Sequence, residues 1–143
     1  MSLNASQSAA SPKRALAFAS QVAPAIAYTC AIFYGGLIHL DALPEVPVVP
    51  TDKLLHTLAF GGLTLLLARA AHWLRPRASS GKQLLGAGFV SSGLGLLLEI
   101  FQSFVPYRSA DAWDWVADTL GAALAGGLAF ALLHYWIPRR MPG

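Results

Sequence analysis

Four long apolar runs decide what this chain can fold into. They cover about residues 15–40, 53–73, 83–105 and 112–137. A helix crosses the ~30 Å hydrocarbon core of a bilayer in about 20 residues, and each run reaches that length. Inside a bilayer every backbone N–H and C=O must be bonded within the protein, so runs of this length are read as helices. Hydrophobic residues make up 55% of the 143 residues and the mean hydropathy is +0.53. A soluble domain of this size could not hide so much apolar surface. The expected fold is all-α: a single membrane domain over 13–140, built as a four-transmembrane-helix bundle. A small polar tail, 1–12, precedes it and reads as disordered.

The breaks between the runs carry their own signals. Lys13 and Arg14 precede the first run, and Ala25-Ile26-Ala27 resembles a signal cleavage site. The run continues well past that site, so an uncleaved first span is expected, with Pro24 as a candidate kink. Pro44, Pro47 and Pro50 forbid a regular helix in the loop 41–51. Asp52 reads as the N-cap of the second helix. Residues 75–82 form a short basic loop, and Pro106 ends the third helix. Ala87, Ser91 and Gly95, then Ala117, Gly121, Ala125 and Ala129, recur every four residues, a spacing that lets helices approach closely in lipid. Cys30, the single cysteine, is expected in the core, and Tyr28 and Tyr34 are expected to serve packing.

Charge orients the bundle. With the N-terminus in the cytoplasm, the inner segments hold Lys13, Arg14, Arg69, Arg75, Arg77, Lys82, Arg139 and Arg140. The outer segments hold only Lys53 and Arg108, a strong positive-inside bias. Both termini are therefore expected in the cytoplasm. The acids are not part of that count, yet all seven fall at the outer side: Asp41, Glu45, Asp52, Glu99, Asp111, Asp114 and Asp118. A net charge of +3 with a pI near 9.4 does not point to nucleic acid, because the basic residues flank apolar runs and form no patch. Trp113 and Trp115 at one mouth, with Trp73 and Trp136 at the other, suit the two membrane interfaces. His39, His72 and His134 lie at helix ends and read as interfacial polar residues.

The outer ends of three helices carry ionisable groups at similar depth. At ~1.5 Å per residue, His56, Glu99 and Asp118 all lie within roughly 10 Å of the outer boundary. Asp111, Asp114 and Asp118 share one helix face. Exposure to lipid would be costly, so these groups are expected to turn inward, with Arg108 and Lys53 as counter-charges. The candidate catalytic residues are Glu99, a desolvated acid or base, and His56, a proton shuttle. The candidate binding residues are Asp52, Lys53, Gln102, Arg108, Asp111, Asp114 and Asp118. Asp111, Asp114 and Asp118 with His56 and Glu99 could coordinate a divalent cation, but no HxxxH or HExxH pattern supports it, and neither metal nor cofactor is expected. The same charges also read as ion pairs that only lock the bundle, though a pocket open to the outside is the favoured reading.

These residues resemble the VanZ-like membrane proteins. The likeness lies in D-K-x-x-H opening the second helix (Asp52, Lys53, His56) and E-x-x-Q closing the third (Glu99, Gln102). R-x-x-D-x-x-D then enters the fourth (Arg108, Asp111, Asp114), with Gly121 beyond. Asp118 stands where the family commonly has Asn. The resemblance implies a multi-pass protein of the bacterial cytoplasmic membrane. It also implies a link to glycopeptide resistance of the teicoplanin type. Three functions stay open. One is a receptor for lipid head groups, lipid-linked cell-wall precursors or glycopeptides. Another is a small membrane enzyme acting on a lipid-linked substrate through Glu99 and His56. The last is a structural accessory subunit, and an oligomer is compatible with each. Whether the chain is an enzyme is left undecided at this level.

Overall fold

The structure, a computed structural model, describes residues 12–38, 51–108 and 110–136, with Thr51 described by its backbone alone. Four helices follow in order: α1 Pro12–Leu37, α2 Thr51–Leu74, α3 Ser80–Ser103 and α4 Ala112–Ala131. A π-helical turn, Leu132–Trp136, extends α4. All four are long and apolar enough to cross a membrane. There is no strand among the described residues.

The helices run three residues further than the apolar pattern at two N-termini. Pro12, read from sequence as part of the tail, is the first residue of α1. Its missing N–H costs nothing there and its fixed φ suits the first helical position. α3 begins at Ser80, because Ser80, Gly81 and Lys82 form a polar first turn that hydropathy does not register. Asp52 lies in the first turn of α2 rather than capping it, where a carboxylate still favours the helix dipole. Pro24 sits within α1 and does not end it. The expected tail 1–11, most of the Pro-rich loop with Asp41 and Glu45, His39, and the closing Pro138, Arg139 and Arg140 lie outside the described residues.

The helices alternate up and down. α2, α3 and α4 pack on one another, and α1 lies against α2 and α3. At one end Arg69 of α2 donates to the Gln21 side chain and the Ser20 carbonyl of α1, and Phe18 meets Trp73 edge to face. Buried Gln83 ties the short α2–α3 loop by donating to the carbonyls of Arg75 and Ala78. The apolar core is small: Phe60, Leu63 and Leu98, with Tyr28, Ile32, Phe33, Leu37, Ala59, Leu67 and Leu94 packed around it. Large apolar side chains point outward instead, as with Phe89 at 72% and Leu124 at 66% exposure. A bundle that shows its oil outward is built for lipid. Two expectations change for the same reason. Cys30 and Tyr34 are exposed on the bundle surface rather than packed inside it, because an apolar run in a membrane helix does not say which face meets protein.

The α3 row and the first half of the α4 row, Ala117 and Gly121, lie in the interior, while Ala125 and Ala129 are half-buried. Ala87, Ser91 and Gly95 of α3 are buried, and the Ser91 hydroxyl donates to the Phe60 carbonyl of α2. Gly121 of α4 is packed on the α2 backbone: a Cβ there would overlap the Thr57 carbonyl, and a Cβ on Gly61 would meet the Gly121 carbonyl at 3.2 Å. Thr57 seals this crossing by donating its hydroxyl to the Ala117 carbonyl at 3.3 Å. Gly121→Val is therefore expected to force α2 and α4 apart at a cost of about 1–3 kcal/mol or more. Gly93→Ala, at an open position, should stay within about 0.5 kcal/mol of the wild type. Thermal unfolding of both variants in detergent checks this contrast.

Candidate functional site

The α2–α4 crossing brings the charged residues together at one mouth of the bundle. The α4 N-terminus organises the outer layer. Asp111 is the N-cap, and its side chain accepts from the Trp113 N–H at 2.9 Å. Lys53, in the first turn of α2, donates to Asp111 Oδ2 at 2.6 Å and also to Asp114 Oδ1. The Lys53 ammonium, with the Trp113 N–H behind it, holds the Asp111 carboxyl below its ordinary pKa. Lys53 and Asp111 are both about two-fifths exposed, so their pair is a modest contact at the water boundary.

A deeper layer lies one turn further in. His56, three residues after Lys53, places Nδ1 2.9 Å from Asp118 Oδ1, within hydrogen-bond reach. His56 Nε2 lies 3.9 Å from Asp114 Oδ2. Asp118 is fully buried. Its Oδ2 leans on α3 at Gly95, only 2.6 Å from where a Cβ would stand, so the absence of a side chain at Gly95 makes room for the carboxylate. Glu99 follows Gly95 by one turn on the same face of α3 and is 6% exposed. Its Oε2 accepts from the Asp111 backbone N–H at 2.9 Å. Glu99 Oε1 and Asp118 Oδ2 are both buried, and neither has a hydrogen-bond partner among the described residues.

Two groups of donors are close enough to share an ion. His56, Glu99 and Asp118 offer ligand atoms within 4.8 Å of one another, and so do Asp52, His56 and Asp114. Burial around a histidine already oriented by a carboxylate suits proton transfer or cation binding.

The remaining sequence-selected residues serve a different contact. Gln102 donates to the Gly36 carbonyl at 3.0 Å. Arg108 reaches the carbonyls of Gly35 and Ile38 at 3.4 and 3.2 Å, and the Tyr107 hydroxyl donates to the Leu37 carbonyl. All three hold the last turn of α1, whose end carbonyls have no partner within the helix. The expectation of two counter-charges thus divides: Lys53 meets the acids, while Arg108 is on the α1 terminus. Sequence reading also missed a polar knot beside the cluster. The Trp115 indole donates to Ser92, and the Ser92 and Thr119 hydroxyls lie 2.8 Å apart. Two hydroxyl residues in otherwise apolar runs were the only signal for it.

The fold and the charged mouth define a multi-pass membrane protein with a half-buried polar site. The chain belongs to the VanZ/LLP1 family, whose family model matches residues 8–134. It is also similar to the uncharacterized protein C11E3.10 of the fission yeast Schizosaccharomyces pombe, 39% identical over 87 residues. That match covers 61% of this chain and 51% of the relative, so it spans about half the length of the yeast protein. No solved structure matches the chain.

The outer ion pair has a testable pH signature. The Asp111 pKa is lower folded than unfolded, so its pairing stabilises the fold above the unfolded value of about 4. That contribution is lost as pH falls through the lowered value. Asp111→Asn keeps a capping side chain but removes the charge. The wild type should therefore melt above this variant near pH 7, and the gap should close in acid. Thermal midpoints of both proteins across pH check it.

Proposed function

We propose that this protein is a small membrane enzyme acting on a lipid-linked substrate, with His56 and Glu99 as its acid–base pair. One observation carries the reading: Glu99 Oε1 and Asp118 Oδ2 are buried beside His56 with no partner among the described residues. Native proteins pair nearly all buried polar atoms, and an ion-pair lock would have used these two. Carboxylate oxygens kept free next to an oriented histidine suit a group that must be available to a substrate. Asp118 fixes the ring through Nδ1, as a base is held by a third residue in many hydrolytic sites. The Asp111 N–H fixes one oxygen of Glu99 and leaves the other free.

The surroundings support a lipid-linked substrate. An open apolar groove of about 580 Å³ runs between α3 and α4, lined by Leu84, Leu85, Phe89, Ala123 and Phe130. Its lining includes Ser92 and Thr119, and Thr119 directly follows Asp118. An acyl or polyprenyl chain in this groove would bring its head group to the charged layer. The basic residues of α1, of the α2–α3 turn and of the α3 start lie toward the opposite end, and the positive-inside bias supports a site on the extracytoplasmic face. Hydrolysis is the reaction we assign. One member of the pair takes a proton from water, the water oxygen bonds to the head group, and the other gives a proton to the departing oxygen.

The family match supports a second reading, in which the same mouth binds cell-wall precursors in a bacterial cytoplasmic membrane and contributes to teicoplanin-type resistance. Similarity to a fission-yeast protein favours the first, since lipid-linked head groups are common to both kinds of cell. Turnover of a panel of lipid-linked head groups by the purified chain, read by mass spectrometry, tests the proposal. Glu99→Gln and His56→Asn should each lower turnover by about 100-fold or more at equal folded protein. Arg108→Ala, which acts on the α1 terminus, should lower it by less than about tenfold. If the wild type turns over none of them but raises teicoplanin tolerance in a bacterial host, the receptor reading replaces the enzyme.

A further inference from the structure

We propose that His56, Glu99 and Asp118 together bind one divalent transition-metal ion. The inference rests on reading this cluster as a working site; with an ion bound, His56 and Glu99 are its ligands, and a water on the ion would stand in for the free acid–base pair. The ligand set comes from α2, α3 and α4, one residue each, with donor atoms within 4.8 Å of one another. A four-coordinate ion with ligands at about 2.0–2.2 Å keeps its donors about 3.5 Å apart. Small side-chain rotations therefore bring these atoms onto a shared ion.

Proximity of acids would not suffice. The second observation is the pair of orphaned oxygens, Glu99 Oε1 and Asp118 Oδ2, on side chains of residues that are 6% and 0% exposed. The ammonium of Lys53 is already taken by Asp111 and Asp114 in the outer layer. Gln102 and Arg108 are taken by α1. Among the described residues, the deeper carboxylates are thus left facing a histidine and each other with no lysine or arginine of their own. A divalent ion supplies that charge and fills the free coordination positions. The packing also keeps the space: any side chain at Gly95 would displace Asp118 Oδ2.

The donor chemistry narrows the ion. One imidazole with two carboxylates suits Zn²⁺, Mn²⁺ or Fe²⁺ better than Mg²⁺ or Ca²⁺, which favour all-oxygen sites. Asp114, whose Oδ2 is 3.9 Å from His56 Nε2, stands ready to hold the other side of the ring or a bound water. An ion here would also reconcile an acid-rich pocket with an anionic head group, which the bare carboxylates would repel.

The test uses the full chain, purified without a histidine tag, stripped with chelator and kept in detergent. Mn²⁺ is titrated and followed by its electron paramagnetic resonance signal, and Zn²⁺ by calorimetry. The expected result is one tight ion per chain, with Kd weakened by about tenfold or more in Glu99→Gln and in Asp118→Asn. Asp52→Asn, in the alternative donor group, should weaken it less. Binding of neither metal by folded wild type overturns the proposal. So does binding that Glu99→Gln and Asp118→Asn leave unchanged, which would mean an adventitious ion only. The two readings fail separately. Turnover that persists in chelator removes the metal and keeps the enzyme. One ion per chain without turnover of any lipid-linked head group keeps the metal and removes the enzyme.

Discussion

The backbone of α2 rests on the backbone of α4 where Gly121 meets Thr57 and Gly61, and the other helices arrange themselves around that contact. Lipid gives two helices no hydrophobic reason to associate, so close packing and interhelical hydrogen bonds must hold them. A side chain at Gly121 would push α2 outward. His56 precedes Thr57 on α2, and Asp118 lies one turn before Gly121 on α4. The crossing therefore fixes the 2.9 Å contact between His56 and Asp118. Gly95 does the same from the third side by leaving room for the second Asp118 oxygen. Two missing side chains thus set the geometry of a charged site to which neither contributes a reactive group.

The resulting energetics are divided by depth. At the water boundary, Lys53 satisfies Asp111 and Asp114, and the Asp111 backbone N–H holds one oxygen of Glu99. One turn deeper, compensation stops and two carboxylate oxygens are left without partners among the described residues. Buried groups of this kind destabilise the region that holds them. The surrounding contacts offset that locally: the Phe60, Leu63 and Leu98 cluster lies further in, and Gln102, Tyr107 and Arg108 bind α1 to the same mouth. A fold that concentrates its unsatisfied groups in one place, and satisfies the polar groups around them, behaves as a functional site does.

Much of this was legible in the sequence because membrane helices announce themselves. Apolar runs of bilayer length marked four helices in order, and fourfold spacing of Ala, Ser and Gly picked out the interior faces of α3 and α4. The depth rule placed His56, Glu99 and Asp118 at one level, and the structure brings them together. What sequence could not reveal was partner choice. Arg108 and Lys53 are equivalent as charges in one dimension, yet only Lys53 is on the helix that faces the acids. Nor could the pattern separate lipid-facing from buried apolar positions, which is why Cys30 and Tyr34 lie on the outside. A donor set spread over three helices leaves no local spacing to read, so no single-helix motif could have signalled a shared cation site.

The deep charges are kept for chemistry at the expense of stability. Thermal unfolding of chelator-treated Glu99→Gln beside chelator-treated wild type tests this most directly. The side-chain carbonyl that this substitution introduces can still accept from the Asp111 N–H, and the new amide replaces a carboxylate beside Asp118 with a neutral group. A midpoint equal to or above that of the wild type is expected. A midpoint several degrees lower would contradict it and make Glu99 a structural member of the bundle.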